Sequence, residues 1–117
     1  MSELTTHVLD TANGRPAQGM KLWLYRLEGD QKTLLFEGET NSDGRCDHPL
    51  LDGNSLKPGL YELDFSVDEY FTKLGQKLPE PSFLTRVTLR FGVANQQQHY
   101  HVPLLVSPWA YSTCRGS

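Results

Sequence analysis

The chain is short of most of what marks the larger functional classes. Among its 117 residues are only two cysteines, Cys46 and Cys114, too few for a disulfide framework and too far apart for a zinc knuckle. No run approaches the ~18 continuous apolar residues of a membrane span. Met1-Ser2-Glu3-Leu4-Thr5-Thr6-His7 has neither the basic start nor the apolar stretch of a secretory signal. Arg115-Gly116-Ser117 matches no peroxisomal or retention tail. Together these absences lead us to expect reduced thiols in a cytoplasmic protein with no membrane partner.

Basic charge is lacking too. Eleven Lys and Arg stand against 14 Asp and Glu, a net charge of −3, and the cations are scattered rather than striped, which argues against nucleic acid as a partner. No serine lies in a Gly-x-Ser-x-Gly elbow and no glycine-rich loop precedes a helical pattern, so elbow hydrolases and phosphate loops are unsupported. No period of roughly 20–50 residues repeats, which excludes a propeller or solenoid.

What is present is an ordinary globular balance, 38% hydrophobic and 21% charged. This length is expected to fold as a single domain over residues 1–117, exposing roughly 6,400 Å² of the about 19,000 Å² an open chain of its mass would show. Turn chemistry at Asn13-Gly14, Gly29-Asp30, Asn41-Ser42-Asp43-Gly44 and Pro58-Gly59 divides the chain into short apolar segments. Strands are expected at His7–Thr11, Met20–Leu27 (buried on much of both faces), Lys32–Thr40, Leu60–Val67, Phe83–Phe91, His99–Val106 and Trp109–Cys114. In Leu60–Val67 the apolar set Tyr61, Leu63, Phe65 and Val67 alternates with Glu62, Asp64 and Ser66, which predicts one buried and one wet face. Asp47–Lys57 reads as a loop or short frayed strand. Asp68–Leu74 is the one helical pattern, with Asp68 as cap and Gly75 as stop. Seven to eight strands and one short helix describe an all-β, antiparallel sandwich.

The densest polar feature is His99-Tyr100-His101. Residues two apart on a strand share a face, so both imidazoles point one way while Tyr100, Val102 and Leu104 point into the core. Such a pair admits general acid–base chemistry, two ligands of a zinc site completed by His7 or His48, or plain solvated histidines. From the residues alone, His7 on the first strand reads more readily as structural than as catalytic, and Arg45 after the Asp43-Gly44 turn as a solvated surface charge. Arg86 and Arg90 sit on the outer face of a strand, where they discourage edge pairing.

Thr6-His7-Val8-Leu9-Asp10 with Gly14-Arg15-Pro16-Ala17, then Asp43-Gly44-Arg45, then His99-Tyr100-His101-Val102-Pro103-Leu104-Leu105 through Ser107-Pro108, Tyr111-Ser112-Thr113 and Arg115-Gly116-Ser117 form a set. Over essentially its whole length the chain resembles the 5-hydroxyisourate hydrolases, relatives of the carrier transthyretin. The resemblance implies a transthyretin-like sandwich, a homotetramer built as a dimer of dimers, and two active sites in the channel between dimers. It implies cofactor-free, metal-free hydrolysis of 5-hydroxyisourate to 2-oxo-4-hydroxy-4-carboxy-5-ureidoimidazoline with a histidine-activated water. Carried over by motif, His7, Arg45, His101 and Ser117 are the expected catalytic residues, and His7, Arg45, Cys114, Arg115 and Gly116 the expected substrate-binding ones. Cys114 departs from the family, which has tyrosine there, and it is carried over as a wall of the pocket. His99 receives no role. The competing function is a transthyretin-like carrier without catalysis, but carriers of that kind lack the Arg-Gly-Ser ending and the His-Tyr-His run.

Overall fold

The turns do divide the chain as their residue types imply, and the computed structural model describes residues 2–116. In chain order the strands are β1 (Glu3–Asp10), β2 (Arg15–Pro16), β3 (Lys21–Glu28), β4 (Gln31–Glu39), β5 (Leu51–Asp52), β6 (Gly59–Ser66), β7 (Arg86–Val93), β8 (Tyr100–Val106) and β9 (Tyr111–Thr113). A 3-10 turn, Gly53–Ser55, follows β5, and the helix α1 (Val67–Lys73) follows β6. One sheet has the order β2-β1-β8-β9, with β5 also paired to β1; the other runs β4-β3-β6-β7. The two inward faces meet in a core of Leu4, Val8, Leu22, Leu24, Leu63, Phe65 and Leu104, all fully buried. The folded chain exposes 6754 Å², close to what its mass implies.

The pairing departs from all-antiparallel in one place that matters. β1 and β8 run parallel, in register from Leu4↔Tyr100 to Asp10↔Val106. A strand flanked on both sides keeps its ladder to the end of its partners, so β1 starts at Glu3 rather than His7. The strand expected at Phe83 begins only at Arg86. Phe83 instead lies exposed against Trp109, ring centroids 6.2 Å apart, and the Thr85 carbonyl accepts the amides of Val67 and Asp68 at 3.1 Å each. That backbone contact satisfies the first two amides and the Asp68 carboxylate accepts the third, from Glu69, at 2.8 Å, so the helix starts at Val67 with Asp68 inside its first turn rather than as its cap. The helix ends as expected, with Gly75 at φ +86° donating to the Thr72 carbonyl.

Two burial expectations are corrected. β3 buries one face, through Leu22 and Leu24, while Trp23 is covered by the Arg86 guanidinium at 4.0 Å and Tyr25 by the Lys32 ammonium at 4.3 Å. The polar face of β6 is not wet: Glu62 is 3% and Asp64 4% exposed. β6 is interior to its sheet, and long side chains from β7 beside it and from β4, one strand further out, close over it, with Lys32 Nζ 2.7 Å and Arg90 Nε 3.2 Å from Glu62. Periodicity identifies the face but not the neighbours that cover it.

Candidate active site

Alternation along β1 sends Leu4, Thr6 and Val8 inward and leaves Glu3, Thr5 and His7 on the outer face of the sheet. On β8, Tyr100, Val102 and Leu104 go inward and His101 and Pro103 outward. The parallel register sets Thr5 opposite His101, and their side chains meet, with Thr5 Oγ1 2.8 Å from His101 Nδ1. The same hydroxyl lies 3.4 Å from His99 Nε2.

A tight turn delivers the cation. Asn41 Oδ1 accepts the amides of Asp43 at 2.9 Å and Arg45 at 3.1 Å, and the Asn41 amide donates to the Arg45 carbonyl at 2.7 Å. The Gly44 carbonyl accepts from Val8 N at 2.8 Å, which ties the turn to β1 and makes a bridge between His7 and Arg45. Gly44 has φ +76°, and a Cβ there would collide with the Val8 carbonyl oxygen. Gly44→Ala is therefore expected to cost about 2 kcal/mol through strain and clash, read in a thermal melt as a drop of several degrees. It also moves Arg45 out of place.

Thr5, Arg45, Asp47, His48, His99 and His101 line a cleft of about 450 Å³. Burial holds the His101 imidazole below its ordinary value of 6.5, and the charges of Arg45, His7 and His99 push the same way. The ring is therefore neutral at neutral pH. Its Nε2 makes no hydrogen bond among the described residues. Sequence patterning does not single out Thr5, because its importance comes from the partner strand β8, 96 residues away, and no local pattern carries that register.

The other expected residues are distributed unevenly. His7 Nε2 donates to the Asp43 carbonyl at 2.9 Å, so a neutral ring keeps Nδ1 as an acceptor. Gly116 and His101 exchange backbone bonds at 2.7 and 3.1 Å, and a Cβ on Gly116 would crowd His101 Cβ at 3.2 Å. Arg115, just beyond β9, turns away from the His101 cleft. Its guanidinium stacks 4.3 Å from the inward-facing Tyr100 ring and donates to the His99 carbonyl at 3.0 Å. Arg115 and Cys114 line a separate cleft of about 420 Å³ beside Tyr100 and Val102. Ser117 lies outside the described residues. Cys46 borders the His101 cleft, but burial and Asp47 raise its thiol to about 11, so it is no nucleophile at neutral pH. Among the described residues, no three His, Cys, Asp or Glu side chains are grouped so as to hold a metal.

Residues 4–116 match the model of the HIUase/Transthyretin family. The chain is 60% identical over 114 residues to 5-hydroxyisourate hydrolase 2 of Rhizobium meliloti, covering 97% of this chain and 95% of that one. Its fold superposes on 5-hydroxyisourate hydrolase of Klebsiella pneumoniae with TM-score 0.82 at 34% identity, covering all of both chains. It also superposes on (S)-allantoin synthase with TM-score 0.94 at 47% identity, covering 99% of this chain but 44% of that one.

Proposed function

The chain belongs to the HIUase/Transthyretin family, and we propose that it hydrolyses 5-hydroxyisourate in the cleft shared by His101 and Arg45. The observation that carries the reading is the pairing, in one cleft, of a neutral imidazole with a guanidinium carried on a tight turn. The names of the similar proteins support the substrate.

The chemistry follows from those two groups. His101 Nε2 takes a proton from water as the water oxygen bonds to a ring carbonyl carbon. Charge then gathers on the carbonyl oxygen, and Arg45 offers paired N–H donors to it and to the planar ring. The tetrahedral centre collapses by breaking the ring C–N bond, and the departing nitrogen takes back the proton from His101. The result is an N–H and a carboxylic acid, which releases its remaining proton to solvent as the carboxylate forms, with no cofactor or metal in the balance. His7, held by the Asp43 carbonyl, presents its second nitrogen to the water or substrate. Ser117 hydrogen-bonds substrate or water, a role resting on the family resemblance alone. Gly116 is bonded to His101 and Arg115 stacks on Tyr100, and the role of Cys114 as a wall of the substrate channel rests on the family resemblance alone. The single domain, the homotetramer built as a dimer of dimers and the cytoplasmic setting belong to the same proposal.

Freshly generated 5-hydroxyisourate is expected to lose its ultraviolet absorbance faster with the protein than without. An unchanged lifetime overturns the hydrolase reading and leaves a carrier. The pH dependence is a second check. A base works only when unprotonated, and the folded environment lowers the pKa of His101. The rising acid limb of kcat/KM is thus expected below pH 6.5, with the rate flat above it.

A further inference from the structure

Thr5 and His99 have no place in the step just described, yet the Thr5 hydroxyl contacts both histidine rings of the cleft. A hydroxyl has one proton to give and lone pairs to accept with. When His101 takes a proton at Nε2, both of its nitrogens carry hydrogen. Its Nδ1–H must then donate to Thr5 Oγ1, 2.8 Å away. The Thr5 proton must leave that line, and among the described residues an acceptor in reach is His99 Nε2 at 3.4 Å. If Thr5 gave its proton to His101 Nδ1 instead, the resting ring would carry hydrogen at Nε2 and have no lone pair for water.

We propose that Thr5 and His99 are positioning residues that hold His101 as the Nδ1–H tautomer, through a chain running His101 Nδ1–H to Thr5 Oγ1–H to His99 Nε2. This rests on the hydrolase reading and deepens it. The chain leaves Nε2 bare at rest and stabilises the imidazolium that forms when water is deprotonated, the task of the orienting third member in base-activated sites. Register makes it rigid: Thr5 and His101 sit opposite one another on adjacent strands. The charged and titratable groups facing His101 are Glu3 and His7 from β1, Arg45, Cys46, Asp47 and His48 from the segment after the turn, and His99. None of them, apart from His99, contacts the Thr5 hydroxyl.

The test uses Thr5→Val, which keeps shape and strand preference but loses the hydroxyl, and Thr5→Ser, which restores it. Thr5→Val is expected to lower kcat about 10- to 100-fold, the scale of one hydrogen bond to a charged group, with little change in KM. Losing the acceptor for the imidazolium also moves the acid limb down by about one pH unit. Thr5→Ser is expected to recover most of kcat and the original limb. Histidine ¹⁵N spectra of the resting protein provide a readout without substrate, showing His101 as Nδ1–H in the wild type and Thr5→Ser. In His99→Phe the Thr5 proton turns to His101, and the ring switches to Nε2–H. An Nε2–H tautomer in the wild type, Thr5→Val with kcat within twofold of wild type, or serine no better than valine would overturn the proposal. Wild-type protein that fails to speed substrate decay sinks the hydrolase reading instead, and the spectra still judge the tautomer.

Discussion

Replacing His101 by asparagine is expected to lower kcat by roughly 10²- to 10⁴-fold, the range spanned by a lost general base. Asparagine is the informative replacement because its amide retains a polar group near Thr5 but cannot accept a proton from water. The fold has little reason to fail. The two hydrogen bonds that join residue 101 to Gly116 are made by backbone, and Tyr100 and Val102, the inward neighbours on β8, are untouched. Size-exclusion chromatography should show an unchanged assembly, and steady-state kinetics should show the loss in kcat rather than KM. A variant retaining more than a tenth of the wild-type kcat would remove His101 from the role of base.

Arg45→Ala is expected to cost about 10²–10³-fold in kcat/KM, as for other fixed donors to a developing oxyanion. The turn that carries Arg45 is held by Asn41 through backbone amides, so alanine leaves its course intact. No acidic side chain forms an ion pair with the guanidinium among the described residues. Its charge is thus free for substrate. Arg45→Lys keeps charge without the planar pair of donors and should fall between wild type and alanine. The pH profile separates the two functions of this residue. Arg45 is one of the groups that push the His101 pKa down, so alanine should move the acid limb upward while lysine leaves it near wild type. Kinetics across pH 4.5–8 would read both effects. An alanine variant with wild-type kcat/KM would confine Arg45 to the turn.

Much of this was legible in the residues themselves. Alternation identified the strands, the Asn-Ser-Asp-Gly run identified the turn that places Arg45, and Tyr100, Val102 and Leu104 announced which way His101 would point. The rest was set by partners distant in sequence. The parallel pairing of β1 with β8 extends β1 back to Glu3 and puts Thr5 on His101, and neither strand encodes the other's register. The buried carboxylates of β6 read as solvent-facing because the cover comes from Lys32 and Arg90, on other strands. Arg115 sits in a motif whose neighbours Gly116 and His101 are bridged, yet its side chain stacks on Tyr100, away from the His101 cleft. Motif proximity and spatial proximity part company there.

In the proposed reaction, His101 is the group whose loss of a proton switches turnover on. Its titration can be followed by NMR in the free protein, beside the pH dependence of kcat/KM for freshly generated 5-hydroxyisourate. The two midpoints are expected to coincide below pH 6.5, with the limb absent in His101→Asn. A kinetic limb that lies apart from the His101 titration, or one that survives in His101→Asn, would contradict the account.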